Sequence, residues 1–286
     1  MPKRKPSAKL NLLLIVLIAL ISYSCSDDDV AQTESPRSIS KLKLKIYNSN
    51  EVERYSTRDY ENNRPKTDSF YNNNHELTSY FDMIYEYGML TDRKGYSANG
   101  TLIFNVTISY DNMNRIIQTT NSSNASNIIT TDFTYNSDNT ISSRQENNSG
   151  FLNKTFYINS LGLIHKELND DGTSEVIYDA DNNVIRKTES GVTNYSYDNV
   201  NLPPDNFPVN ENFMFGDYKN NRIIYNNSIN AATYNEASTL RKFGIGYQSG
   251  TNVVVIDWVL DSDNYPISKK FYSDGHLQIE YEYLYD

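Results

Sequence analysis

From Lys41 to Tyr285 the sequence keeps a period of two, and this constrains the fold more than any other feature. Lys41-Leu42-Lys43-Leu44-Lys45-Ile46-Tyr47 alternates polar and apolar residues without a break. Gly100 to Tyr110 mostly alternates, and Leu277 to Tyr285 does so again. Such alternation marks strands with one buried face. The residue types agree, because 24 Tyr and 11 Phe, with Ile, Val and Thr, suit a pleated surface. The 38 Asn, with Asp and Gly, cluster between the runs, where they accept left-handed backbone and tight turns. No helical stripe persists after residue 24. The expected fold class is all-β, an antiparallel ladder of repeated β-hairpins over residues 41–286.

The turns themselves repeat. Tyr110-Asp111-Asn112-Met113-Asn114-Arg115-Ile116 and Tyr178-Asp179-Ala180-Asp181-Asn182-Asn183-Val184 share one form: aromatic, Asp or Asn, two variable residues, Asn, any residue, aliphatic. Tyr135 to Ile141, with Asn139 in the Asn place, and Tyr71 to Leu77 follow it. Tyr197 to Leu202 nearly does, and Leu260 to Ile267 has Leu for Tyr. Tyr110, Tyr135, Tyr157, Tyr178 and Tyr197 fall 19 to 25 residues apart, room for two strands and two turns. A step of that length implies hairpins that each bury a face against their neighbours.

The unit Tyr110-Asp111-Asn112-Met113-Asn114-Arg115-Ile116 resembles the YD repeat of the RHS/YD family, whose core is Tyr-Asp-x-x-Gly-Arg-Leu. Asn114 stands where the family has Gly, and Asn is the non-Gly residue best suited to left-handed backbone. The resemblance covers roughly residues 70–200 and 255–286. It implies strand architecture, here an open sheet, and a cell-envelope setting. Full-length members wind such repeats into a shell around a toxin, and this chain is too short to enclose a cargo.

The N-terminus reads as an address. Lys3, Arg4, Lys5 and Lys9 precede an apolar run from Leu10 to Ile21, shorter than the roughly 20 apolar residues a spanning helix needs. A short apolar run behind a basic start is a secretory signal, placed at 1–24. Ser22-Tyr23-Ser24-Cys25 resembles the bacterial lipobox, whose Cys becomes the lipidated N-terminus, although Ser22 stands where an aliphatic residue is usual. Cys25 is the only Cys, so it excludes a disulfide framework as it suggests an anchor. Ser26-Asp27-Asp28-Asp29 resembles the acidic surface-export tag of Bacteroidota lipoproteins. Residues 25–40 then read as a polar tether. The net charge is −10, and loss of the four basic residues in 1–24 makes it −14. That charge argues against nucleic acid as a partner.

The remaining chemistry is sparse. His75, His165 and His276 have no second His or Cys at metal spacing. The Asp/Asn turns at 179–183 and 261–264 place oxygens at alternate positions but lack the Gly and distal Glu of a calcium loop. Asp and Asn serve such turns for conformational reasons alone, so no metal and no cofactor are expected. No nucleophile elbow or phosphate loop occurs. Trp258, in the apolar run Val253 to Leu260, reads as core within a strand buried on both faces. Residues 201–216 hold three Pro and break the alternation, so they read as a crossover with a short helical turn near Asn212–Phe215. The expected protein is a non-enzymatic lipoprotein of the outer membrane, exposed at the cell surface, with a structural or interaction role. Its membrane contact is the lipid at Cys25. The repeat-defining residues are Tyr110, Asp111, Asn114, Arg115, Tyr135, Asn139, Tyr178, Asp179 and Asn182. A glycan-binding accessory module is the alternative, and an envelope hydrolase, resting only on abundant carboxylates, is the second. The partner would be a glycan or an envelope protein.

Overall fold

The computed structural model describes residues 37–286 except 49–50, 63, 124–126, 181–182, 190, 203–219, 227–240, 250 and 264. Residues Arg37–Asp286 form one compact unit. Its strands are β1 (Ile39–Asn48), β2 (Glu51–Glu61), β3 (Arg64–Asn72), β4 (Leu77–Glu86), β5 (Met89–Ser97) and β6 (Leu102–Tyr110). Next come β7 (Ile116–Ser122), β8 (Ile128–Tyr135), β9 (Thr140–Asn147), β10 (Gly150–Ile158), β11 (Ile164–Asn169) and β12 (Gly172–Tyr178). The last are β13 (Val184–Thr188), β14 (Val192–Leu202), β15 (Arg241–Ser249), β16 (Asn252–Leu260), β17 (Pro266–Ser273) and β18 (His276–Tyr285). A six-residue helix, α1 (Asn221–Asn226), lies between β14 and β15.

Each strand pairs antiparallel with its sequence neighbours, and β1 pairs with both β2 and β18. The expected open sheet is therefore a closed 18-stranded barrel. A twisted sheet seldom runs past about ten strands without curling, and closure removes two edges of unpaired backbone. The closing register sets Lys43 against Glu282 and Lys45 against Glu280, so the two terminal strands match in charge as well as in alternation.

The even residues of β1 and their register partners face inward. Around the ring these include Leu42, Arg58, Asp68, Phe81 and Gly95. A Cβ on Gly95 would meet the Phe81 ring at 2.6 Å, so only glycine fits between Phe81 and Phe104. The tightest packing is a cluster on β4–β13: Met83, Leu90, Val106, Ile108, Ile116, Phe133, Ile141, Phe156, Ile164, Val176 and Val184. These side chains are at most 6% exposed.

A sequential meander puts its turns at two ends. The termini and the β2–β3, β4–β5, β6–β7, β8–β9, β10–β11, β12–β13 and β16–β17 turns share the near end. The long connection holding α1 leaves from that end too. The remaining turns are at the far end. Leu90, Ile116, Ile141, Ile164 and Val184 open the strands just after near-end turns, so the densest packing sits there.

The apolar run at Val253–Leu260 is not buried on both faces as expected. Val254 and Ile256 are buried, whereas Val253, Val255 and Val259 are 46–48% exposed on the outward face. A barrel wall is a single layer, packed on its inward face alone, and helices that would cover both faces belong to parallel sheets. Of the Pro-rich segment, Asn201 and Leu202 finish β14, and 203–216, with the expected turn at Asn212–Phe215, lies outside the described residues.

Candidate functional site

The repeated turns show why the motif needs its residues. At Asp111 one carboxylate oxygen accepts the N–H groups of Met113 (2.9 Å) and Arg115 (3.0 Å). The other binds the Arg115 guanidinium at 2.6–2.7 Å. The Asn114 N–H closes the turn on the Asp111 carbonyl (3.1 Å), with Asn114 at φ 60°. Burial raises the Asp111 carboxyl, but the Arg115 guanidinium and the N–H groups of Arg115 and Met113 outweigh it and hold the group below its usual range. Asp179 and Asp261 cap their turns with the same oxygen, at 2.8 Å and 2.9 Å. Asn139 takes the left-handed position at φ 61°. The oxygens considered for calcium at Asp179 and Asp261 accept N–H groups, and Asp261 also binds Arg37 at 2.6 Å.

The motif's Tyr has a second task. The Tyr110 hydroxyl donates to the Leu90 carbonyl (2.8 Å), Tyr135 to Ile116 (2.9 Å) and Tyr178 to Ile164 (2.6 Å). Tyr85, Tyr197 and Tyr285 do the same to Pro65, Val184 and Pro266. Each hydroxyl reaches back 13 to 20 residues, to a strand that opens after the preceding near-end turn. Burial raises the pKa of Tyr85, Tyr110, Tyr178, Tyr197 and Tyr285, keeping these donors protonated. Arg115 adds a tie between units, its guanidinium 4.1 Å from the Tyr135 ring centre.

Three units depart from the sequence reading. Ile158-Asn159-Ser160-Leu161-Gly162-Leu163-Ile164 is a full unit, with Asn159 capping Leu161 and Leu163 and Gly162 at φ 73°. It keeps the family's Gly, and Ile158 replaces the Tyr. The spacing Asn-x-x-Gly was its signal, obscured by the neighbouring Tyr157. The near match at Tyr197 is no turn, because β14 runs on to Leu202. The Tyr71 unit does form the loop, with His75 at φ 64°, but at the far end. Its Tyr71 ring faces outward and stacks on Tyr55 at 4.6 Å and 5°.

Helix α1 was not legible in sequence. Asn221 accepts the Ile116 N–H (3.0 Å) and donates to the Asn114 carbonyl (2.7 Å). Asn220 accepts the Ile164 N–H (3.1 Å) and donates to the Gly162 carbonyl (3.0 Å). Each side chain thereby satisfies the backbone just past a turn's left-handed residue, and both are 1% exposed.

The outward face mixes exposed apolar side chains, such as Val253, Val255, Val259 and Ile267, with ion pairs that cluster around β16–β1. Asp257, Lys270, Glu280 and Lys45 follow one another across four strands in register. Lys270 and Lys45 lie 3.3 and 3.5 Å from Glu280, and Lys45 also binds Glu282. Burial raises Glu280, but hydrogen bonds from Tyr47 and Lys270 and the Lys45 charge lower it overall. Tyr47, buried by the same contacts and bonded to Glu280, is pushed up to about 12. Lys41 pairs with Asp59 and Lys166 with Glu175, and Gln118 bonds Asp132 at 2.7 Å. The outward Tyr55–Tyr71 and Tyr80–Tyr96 pairs stack ring on ring, at 4.6 and 5.0 Å. That distance is the spacing of strands, so the rings stand on edge and give solvent their rims. Trp258 faces inward, stacked on Tyr283 at 6.4 Å with the Lys269 ammonium 4.7 Å away. A shallow outward depression of about 350 Å³ lies among Val253, Val255, Asp257, Tyr272, Asp274 and Gly275. Cys25, the export tag Ser26–Asp29 and Asn182 lie outside the described residues.

No family model matches the chain, and no curated protein does. Among solved structures it is similar to a porin-like protein from Bacteroides uniformis, at 14% identity and TM-score 0.40, over 88% of this chain and 99% of that one. It is also similar to a chain of the TcdB2-TccC3-Cdc42 crystal structure, at 8% identity and TM-score 0.23, over 82% of this chain and 15% of that one.

Proposed function

We propose that this chain is a non-catalytic lipoprotein of the outer envelope, whose barrel stands in water and serves a structural or interaction role. The observation that carries this reading is the direction of the side chains. A barrel that spans a membrane turns an apolar band outward and polar residues inward. Here Met83, Ile116, Ile141, Phe156 and Ile164 point inward beside the ion pairs Arg58–Asp68 and Lys154–Glu167, and Lys43, Lys45, Asp257, Lys270, Glu280 and Glu282 point outward at mid-strand among exposed Val253, Val255 and Val259. The mid-strand charges are what a lipid-facing band would not carry. A charge on the lipid-facing side of a barrel costs about 2–4 kcal/mol at mid-bilayer for Lys or Arg. Among the described residues no helix is long and apolar enough to cross a membrane. Membrane attachment then falls to Cys25, and outward display to the acidic Ser26–Asp29 segment.

Two carboxylates best defined by their surroundings, Asp111 and Asp261, are held below their usual pKa and occupied by turn N–H groups. A general acid needs the opposite shift. The decisive experiment is detergent phase partition with palmitate labelling. The wild-type chain should carry palmitate and enter the detergent phase, and Cys25→Ala should lose the label and move to the aqueous phase. An unlabelled Cys25→Ala chain that stays with detergent would mean that the barrel itself enters the bilayer.

A further inference from the structure

We propose that the near end of the barrel is a membrane-docking face, seated on a zwitterionic bilayer by the hairpin tips Tyr87, Met113 and Leu161. The proposal rests on the lipoprotein reading for the chain's nearness to a membrane. The tips supply the rest. Tyr87 and Gly88 form the two-residue turn of the β4–β5 hairpin, both with positive φ, at 50° and 84°. Asn-Gly is the pair such a turn favours, and a bulky side chain in left-handed backbone is strained. The Tyr87 side chain is 99% exposed, so packing within the barrel does not offset that strain. A strained residue kept at an exposed tip points to a role there. Tyr is also a residue enriched at the bilayer–water boundary.

The neighbouring tips extend the feature. Met113 crowns the β6–β7 turn at 63% exposure and Leu161 the β10–β11 turn at 49%. Strand spacing puts the second tip about 10 Å from the first and the third about 19 Å beyond it along the rim. Arg64 lies against the Tyr87 turn, 2.8 Å from where a Cβ on Gly88 would sit, in reach of a lipid phosphate. Of the carboxylates at this end, Asp111 is neutralised by Arg115, and Asp261 and Asp263 by Arg37, while Asp138 on the β8–β9 tip between Met113 and Leu161 is bonded to Thr140. With a charge of −14 once residues 1–24 are lost, the chain suits a neutral lipid surface better than an anionic one.

Chain geometry commits the occupant to a bilayer. The Asp286 N–H donates to the Ser38 carbonyl (3.0 Å), so the chain enters the barrel at this end. Cys25 lies twelve residues before Arg37, a reach of at most about 43 Å. A lipid at Cys25 would therefore keep the point where the chain enters the barrel, at the near end, within that distance of a membrane.

The test attaches the polarity-sensitive dye acrylodan at Tyr87→Cys, and at Ser149→Cys in the far-end β9–β10 turn as control. Both are made in the full lipidated chain, whose Cys25 sulfur is blocked by its lipid, and reconstituted on phosphatidylcholine vesicles. The expected result is a blue shift at 87 with quenching by brominated acyl chains, and neither at 149. Met113→Ser with Leu161→Ser should reduce the shift at 87. Water-like emission at both positions in a palmitate-carrying chain would overturn the docking face and leave the anchor standing. If the chain carries no palmitate, the anchor reading fails instead. The same dye on Cys25→Ala/Tyr87→Cys, with vesicles in excess, then decides: a shift supports the face and no shift overturns it. A blue shift without vesicles that grows with protein concentration would identify a second copy as the occupant and overturn the proposal.

Discussion

The near end of β6–β13 and the seam where β17, β18, β1 and β2 meet solve one problem by opposite means. Both must hold antiparallel neighbours together in a wall one sheet thick. At the near end the ties are local and repeated: a turn capped by Asp or Asn, a Tyr hydroxyl on a backbone carbonyl, and the side chains of Asn220 and Asn221 at the start of α1. At the seam they are ionic: Lys41 with Asp59, Lys43 and Lys45 with Glu282, Lys270 with Glu280. Local hairpins can use the same device at every step, since each meets its neighbour within about twenty residues. The β1–β18 pair joins segments more than 230 residues apart, and complementary charge specifies that register against a slip.

The comparison breaks most visibly if the near end is not the stable half. Phe156 is fully buried in its core, so Phe156→Ala should cost about 3–5 kcal/mol in urea unfolding. Asn221→Ala removes the partner of a buried N–H and of a carbonyl, for about 1–3 kcal/mol. Hydrogen exchange should then speed first at Ile116, next to the lost bond. Equal acceleration at the seam would show that α1 holds the barrel as a whole.

Much of the near end was legible in sequence because its cause is local. The Asp111 cap, Arg115 bridge and Asn114 backbone lie within five residues, so a motif records them. The latch to Leu90 was hidden although its donor, Tyr110, was singled out, since nothing nearby names the acceptor. Closure was illegible for the same reason at longer range. Lys43 and Lys45 alternate as any outward-facing strand does, and only the β18 register shows that Glu280 and Glu282 answer them. The Tyr71 unit misled in another way: the loop is a property of its own residues, but the end of the barrel it occupies depends on strand order.

Smaller effects sharpen the contrast. Tyr135→Phe deletes one latch and should cost about 1 kcal/mol, with Tyr110→Phe costing the same if the units are equivalent. Tyr71→Phe, on the outward far end, should stay within about 0.5 kcal/mol. Acid should act on both regions through carboxylates whose folded pKa is lowered, Asp111 at the near end and Asp261 and Glu280 beside the seam. Their contribution is complete above the unfolded value near 4 and declines as pH falls through the folded value. Alkali acts with the opposite sign. The buried latch tyrosines and Lys41 and Lys45 are raised, so their stabilisation holds below about pH 10 and fades above it. Urea midpoints from pH 3 to 11 should show a plateau between these limits, and a midpoint that climbs below pH 4 would contradict the acid assignment.

The smallest effect is the most discriminating. Lys43 and Glu282 lie 3.7 Å apart with side chains 43% and 33% exposed, so a double-mutant cycle should give a coupling of only about 0.2–1 kcal/mol. In 1 M salt, where charges are screened over about 3 Å, it should vanish. The interior pair Lys154 and Glu167, 2.9 Å apart and 11% and 5% exposed, is shielded from salt by the barrel wall, and its coupling should persist under the same conditions. If both couplings fell together, salt would be reaching the interior, and the difference between a packed near end and a solvated seam would be one of residue type rather than of environment. If neither fell, the seam would owe its register to backbone pairing and alternation, and its charges would serve solubility instead.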